Sequence, residues 1–471
     1  MRASSHWLKR FWLLAAGVAV LLPAAWAAGQ DNGRTVYDEQ LRLRLDEQVA
    51  AAREIGLDAG GWFSFAVFNY NDTTVRKTRM LRQYQIRGWA SVDVHGVHKG
   101  YVRGMLGWDD WNAGTNPTIR REDEDAEEVE RAWYQFDLGQ IHRNRTGQEP
   151  PLAFKIKVGR QYATIGTGLA LAMPLDMIRM DLAASQWEMM ALLGKTRRHS
   201  ANLDCSPNVA TRQKRSFWGI EVKYTGLEGH RPFAYFLSNE DHTTPKPRDA
   251  TQSYAYDSRY VGVGSTGNVL LPNLRYQVEA VGEWGKTYSE GVTSGRDRIE
   301  AMAVDAMLEY FFNAPTHPRV SVEYLWGSGD GNRRASSTST VGGNQAGSPD
   351  HAFNAFGFRD TGLAFNPAVS NMHIYQIGAS FFPFEQHKLL KKMEVGTKTF
   401  FYHKCSPNGA ISDTTGTNTS RWVGWEWDVY CDWRITSDLS WTIRYGAFRP
   451  GAAFANNSCR RFLYTGVTLS F

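Results

Sequence analysis

Charged and polar side chains that could do chemistry are plentiful in this chain, but few are spaced for catalysis. HGVH places His95 and His98 in what reads as a short turn, where solvated histidines are a plainer account than metal ligands. REDEDAEEVE, Arg121–Glu130, is an acidic run leading into a strand. It suits a cation-attracting or lipopolysaccharide-facing loop better than a catalytic carboxylate pair. No GxSxG or HExxH occurs, so no local motif gathers a nucleophile, a base and an orienting group. The four cysteines, Cys205, Cys405, Cys431 and Cys459, form no CxxC pair, and haem attachment and zinc ribbons find no support. Cys205 and Cys405 each open a CSPN stretch; a disulfide between them is conceivable, unpaired thiols being the plainer reading. The residues call for no enzyme, cofactor, metal or nucleic acid. What remains is binding by arginines, lysines and carboxylates, and its meaning depends on the elements that carry them.

Those elements are extended. In QYQIRGWASVDV, Gln83–Val94, one parity gives Tyr84, Ile86, Ala90, Val92 and Val94, and the other gives Gln85, Arg87, Trp89, Ser91 and Asp93. Side chains alternate across a strand, so one face is apolar and the other charged. WVGWEWDVYCDWR does the same, with Val423, Trp425, Trp427, Val429, Cys431 and Trp433 opposed to Glu426, Asp428, Tyr430, Asp432 and Arg434. About eighteen such segments recur from Gly60 to Phe471, with short connectors such as HGVHK, EGHR and TSD alternating with long ones such as Ser328–Asn371. An even strand number with short turns on one rim and long loops on the other predicts an outer-membrane barrel. The fold class is therefore all-β, a single antiparallel transmembrane β-barrel of about 18 strands (16–18).

The start of the chain agrees. MRASSHWLKRFWLLAAGVAVLLPAAWA has a basic opening, an apolar stretch and a small-x-small site at Ala25-Trp26-Ala27, which predicts a signal peptide over 1–27. No later run reaches the roughly 20 apolar residues of a spanning helix. A net charge of +5 and 42% hydrophobic residues are compatible with a barrel whose lumen and loops are polar. Residues 28–57 read as a periplasmic segment with one helix over 36–57, and 58–471 as the barrel. The helix could plug the periplasmic mouth, dock a synthesis or secretion partner, or lead into the barrel. At the other end Leu463, Thr465, Val467, Leu469 and Phe471 share the lipid face of a closing strand. Phe471 resembles the terminal signal read by the barrel-assembly machinery.

Several stretches, in order along the chain, resemble the alginate-export family of outer-membrane channels. They are IRGWASV with Arg87, FKIKVGRQ (Phe154–Gln161), FNAFGFRDTGLAF with Arg359 followed by AVSNM, and GWEWDVYCDWRITSDLSWTIRYGAFRPGAAF with Arg444. The resemblance implies an eighteen-stranded pore passing an anionic exopolysaccharide along an arginine-lined constriction. The chain departs from the pattern at Tyr162 and in the order Glu130-Arg131.

Inward parity collects Arg87, Arg103, Arg131, Lys155, Lys157, Lys223, Arg275, Arg319, Lys398, Arg434 and Arg444. It also collects Asp93, Asp109, Asp137, Glu221, Glu279, Glu283, Asp305, Glu309, Glu323, Glu394, Glu426, Asp428 and Asp432. The signs nearly balance, so only clustering could make a selective field. Arg160 falls on the outward parity; a bulge at Gly159 that turns it inward is favoured, because a midplane arginine facing lipid costs about 2–4 kcal/mol. The candidate solute contacts are Arg87, Arg103, Arg131, Arg160, Arg359, Lys398, Glu426, Asp428 and Arg444. Guanidinium forks match sugar carboxylates, and Trp89, Trp133 and Trp422 offer ring faces. Trp425, Trp427, Trp433 and Trp441 read as lipid-contacting or girdle residues. The plainer account of each arginine is a partner in a lumenal ion-pair ladder. Ser328–Asn371 is a constriction or a lid. The expected partners are outer-membrane lipid and lipopolysaccharide, the barrel-assembly machinery and periplasmic polysaccharide proteins. A small-solute porin and a plugged, non-channel scaffold are the competing functions.

Overall fold

Eighteen strands pair in one antiparallel sheet whose first and last members also pair, so the sheet has no free edge. The computed structural model describes residues 55–471 apart from 73–76, 114–122, 198–213, 243–254, 270, 288–295, 334–335, 339–343 and 346. In chain order the strands are β1 Ile55–Asp72, β2 Lys77–Val94, β3 His98–Trp111, β4 Asp123–Asp137, β5 Ala153–Ile165, β6 Leu171–Ala184, β7 Trp187–Thr196, β8 Arg215–Tyr224 and β9 His230–Asp241. They continue with β10 Asp257–Asn268, β11 Leu274–Thr287, β12 Asp297–Phe311, β13 Arg319–Gly327, β14 Met372–Phe381, β15 Met393–Lys404, β16 Trp422–Arg434, β17 Leu439–Pro450 and β18 Arg460–Ser470. Each coincides with one segment of the periodic reading. Neighbours in sequence are neighbours in the wall, so every connection is a hairpin.

The wall has the predicted two faces. Ile86, Val102, Leu106, Trp218, Ile220, Ile377, Trp425 and Trp427 are exposed on the outside, whereas Glu279, Asp305, Glu323 and Glu426 are buried on the inside. Connectors sort by rim. On the rim nearest Phe471 lie 95–97, 185–186, 225–229, 269–273, 312–318 and 435–438, with longer ones at 138–152 and 382–392. Among the described connectors, the far rim carries 328–371, 405–421 and 451–459, with 166–170 the short exception.

Three local readings change. Ile55, Gly56 and Leu57 pair with Val94, Asp93 and Val92, so these residues are strand, not helix. Pairing with the full length of β2 overrides the helix-forming composition. The remainder of the predicted helix and the signal peptide fall outside the described residues. A helix, α1 Leu138–Thr146, fills the connector after β4, where the periodic reading shows none. Asp137 caps it by accepting from the Gln140 amide at 2.9 Å, and Gly147 closes it in the left-handed region. Finally, β6 begins at Leu171 rather than Met177. Residues Leu171–Pro174 pair with β5 but not with β7, and Leu171 also bridges to Phe356, at a hairpin tip that tolerates Pro174.

Two apolar cores lie inside the barrel. One gathers Ile165, Leu169, Leu171, Leu237, Tyr260, Phe353 and Phe356; the other gathers Phe365, Ile374, Phe400, Tyr402, Phe448 and Phe454. Phe353, Phe356 and Phe365 come from the long connector 328–371, which therefore packs within the barrel at two places.

Candidate pore constriction

The inserted segment is held by wall carboxylates acting on its backbone. Glu426 Oε1 accepts from the Leu363 and Ala364 amides, both at 2.6 Å, and Oε2 accepts from the Phe365 amide at 2.9 Å. Asp428 accepts from the Leu363 amide as well, at 3.2 Å. The approach needs Gly362, whose φ is +114°; a Cβ there would lie 2.6 Å from the Tyr402 hydroxyl and 2.9 Å from the Glu426 carboxyl carbon. Phe365 then stacks on Phe448 with centroids 4.2 Å apart and planes 8° from parallel.

The same chemistry repeats along the segment. Glu283 on β11 accepts from the Asn354 amide at 2.9 Å and from the Tyr256 hydroxyl at 2.7 Å. Arg359 donates from Nε to Asp305 at 2.9 Å and from Nη1 to the Thr167 carbonyl at 3.0 Å, and lies 3.8 Å from Glu279. Burial opposes the charge on Arg359, but Asp305, Glu279 and Glu323 outweigh it and hold its pKa above the ordinary value. Asp360 pairs with Lys398, and Arg333 pairs with Asp350 within the segment itself. The tip of the β5–β6 hairpin joins in: Glu279 accepts from the Thr167 amide at 2.8 Å, and Glu221 accepts from the Gly166 amide. Lumen carboxylates of β11, β12 and β16 are thus engaged by the described part of 328–371, and Glu221 of β8 by the β5–β6 tip, which ties this inward-folded chain to the wall.

Basic side chains gather on another part of the wall. Opposite Arg103 and Gly104 of β3, strand β4 supplies Arg131 and Val129, so Glu130 is the extra residue of a bulge. Its carboxylate accepts from Arg87 Nε at 3.0 Å and forms an ion pair with Arg103, whose Nε lies 2.9 Å away. Both guanidiniums lie over Trp62, at 5.7 and 5.5 Å from the ring centroid. Lys157 sits 3.9 Å from the centroid of Trp133. Lys155 pairs with Asp137 at 3.3 Å. Trp89 and Trp133 flank Tyr101, with centroids 6.1 and 5.6 Å away and near-parallel planes, so rings stack on one another along this arc.

The predicted residues therefore separate. Arg87, Arg103 and Arg131 form one arc across β2–β4, all buried. Arg359, Lys398, Glu426 and Asp428 meet at the inserted segment. Arg444 stands apart, with Asp432 at 2.8 Å and the Tyr430 ring at 5.5 Å. Arg160 does not turn inward: its register opposite Ala132 and Asp176 is unbroken, so no bulge at Gly159 re-phases it. The bulge sits at Glu130 instead. Outward Arg160 is satisfied by Asp176 at 2.7 Å and the Val129 carbonyl at 2.7 Å. Pairing with Asp176 on the same outward face offsets part of the cost that favoured the bulge. Phe471 lies at the seam, exchanging two 2.9 Å backbone hydrogen bonds with Gly61. Cys405 is a free thiol that donates to the Gly327 carbonyl, and burial pushes its pKa up to about 11; Cys205 lies outside the described residues. Sequence reasoning missed Trp62 and the joint role of Glu130. The displaced Glu130-Arg131 order was the available signal.

With this geometry in place, the comparisons decide the family. The family model described as alginate export matches residues 117–467. The chain belongs to the alginate export family. No curated protein matches it by sequence. Similar solved structures come from Pseudomonas aeruginosa. OccK11 (OpdR) is 13% identical, with 90% of this chain and 99% of that chain covered and a TM-score of 0.53. OccK8 (OprE) is 10% identical over 88% and 98%, with a TM-score of 0.52. OpdK with vanillate is 11% identical over the same shares, with a TM-score of 0.54. At such identities the likeness concerns the fold. Together they make this member of the family an outer-membrane channel. Short turns of such barrels face the periplasm, so the Phe471 rim is periplasmic and the constriction descends from the outer side.

Proposed function

We propose that this channel exports an acidic exopolysaccharide and carries out no reaction on it. One observation supports the reading most strongly. Many lumen carboxylates are engaged by the inward-folded chain on β8–β16, while Arg87, Arg103, Arg131, Lys155 and Lys157 gather on β2–β5 around Glu130 and Asp137, a local excess of positive charge. The sum is near neutral, but the distribution is not, and a low-dielectric wall focuses the field of the basic arc on the path beside it. Arg103 and Arg131 are nearly enclosed, so they act on a passing polymer through their field, while Lys155, at 44% side-chain exposure, is open to contact.

A second reading, a small-solute porin, draws on the inward-folded chain. Current through the purified protein in a planar bilayer separates the two. Oligouronates are expected to interrupt the current, with interruptions that lengthen as the oligomer lengthens; neutral oligosaccharides of equal size should interrupt it less. Equal block by neutral chains would remove the acidic polymer. Block by the monomeric uronate with none by longer chains would favour the small-solute channel.

A further inference from the structure

The connector between β14 and β15, residues 382–392, is one of the long ones on the periplasmic rim and takes no part in the lumen. Its backbone winds tightly: the His387 amide donates to Phe384, the Lys391 amide to His387 and the Met393 amide to Leu390, each at 2.9 Å. The indole N–H of Trp433 donates to the Leu389 carbonyl at 3.0 Å. Trp433 shares the outward face of β16 with Trp425 and Trp427, so this bond draws the connector over the lipid side of the wall rather than across the pore mouth.

What the connector presents there is amphipathic. Phe384 is 44% and Leu389 57% exposed. Lys388, Lys391 and Lys392 are all exposed, and the acidic Glu385 faces His317 at 3.6 Å. Exposed apolar side chains beside lysines, continuous with a lipid-facing girdle, are the chemistry of a segment lying in a membrane interface. Lysine stems lie along apolar surface while the ammonium groups reach phosphate. We propose that residues 382–392 form a binding site for the headgroup of an anionic phospholipid in the periplasmic leaflet, with Leu389 and Phe384 against its acyl chains. The site is independent of what the channel conducts.

Native mass spectrometry of the detergent-purified full chain, titrated with phosphatidylglycerol or phosphatidylcholine, tests this. Wild-type protein is expected to retain phosphatidylglycerol in severalfold excess over phosphatidylcholine. The variant Lys388→Gln/Lys391→Gln/Lys392→Gln is expected to lose that excess, and Leu389→Ser to weaken both lipids. Trp433→Phe keeps the lysines and an aromatic ring but removes the tether, and is expected to lower the excess; it decides the matter should the triple variant fail to fold. Equal retention of the two lipids by wild type, or an undiminished excess in the folded variants, overturns the proposal. Displacement of the lipid by excess inorganic phosphate also overturns it, since the site would then take free phosphate.

Discussion

Replacing Glu426 by alanine is expected to widen the channel while leaving the barrel folded. Three amides of the inserted segment, those of Leu363, Ala364 and Phe365, share this one carboxylate. The Ala364 and Phe365 amides lose their acceptor in a buried setting, at about 1–3 kcal/mol per orphaned group, while the Leu363 amide keeps Asp428 at 3.2 Å. Wall pairing of β16 with β15 and β17 involves none of these bonds. The cost therefore falls on residues 361–366, which are expected to leave the wall despite the Phe365–Phe448 stack. Single-channel conductance should rise, with noise from the loosened segment, while the heat-modifiable gel band of the folded barrel persists. Glu426→Gln retains one carbonyl acceptor and should fall between. Unchanged conductance in Glu426→Ala would mean that 361–366 does not bound the path.

A larger effect is expected from Gly61→Val, which should prevent closure. Gly61 lies in β1 where that strand meets both β18 and β2. A Cβ there would stand 2.6 Å from the Arg87 carbonyl oxygen and 2.9 Å from the Phe471 ring. The Phe471 ring, 76% exposed, can swing aside, but the β2 backbone cannot give way without parting strands at the seam. Overpacking costs about 1–3 kcal/mol, and the two Gly61–Phe471 backbone bonds add about 1 kcal/mol each. Against a total stability of about 5–15 kcal/mol, that strain lands where the sheet must close. Refolding into detergent, scored by the heat-modifiable band, should show little closed barrel for Gly61→Val and an intermediate amount for Gly61→Ala. Normal yield of closed Gly61→Val would show that the seam accommodates a side chain.

The strands were legible because a wall separating lipid from a polar bore imposes a period of two on every segment, from the Gln83–Val94 stretch to the Trp422–Arg434 stretch. Features that depart from that period were not. Helix α1 is short and polar, and only Asp137 and Gly147 mark its ends. The bulge at Glu130 changes which side chains share a face, and parity counting assumes an unbroken register. Arg160 went astray for the same reason in reverse: a bulge was expected where none exists. The constriction was the least legible part. Arg359 and Lys398 stood out by type and motif, but their partners Asp305 and Asp360 are set by how 328–371 folds inward. Likewise, the acidic and basic lumen residues could be counted from the sequence, whereas their segregation depends on which carboxylates the inserted segment engages.

That segregation is what the zero-current potential of a bilayer holding the channel between unequal KCl solutions reads most directly. Wild-type protein is predicted to give a potential of the sign that marks anion preference, and Arg87→Glu to move it toward cation preference. A cation-preferring wild type, or a potential that Arg87→Glu leaves in place, would contradict the account.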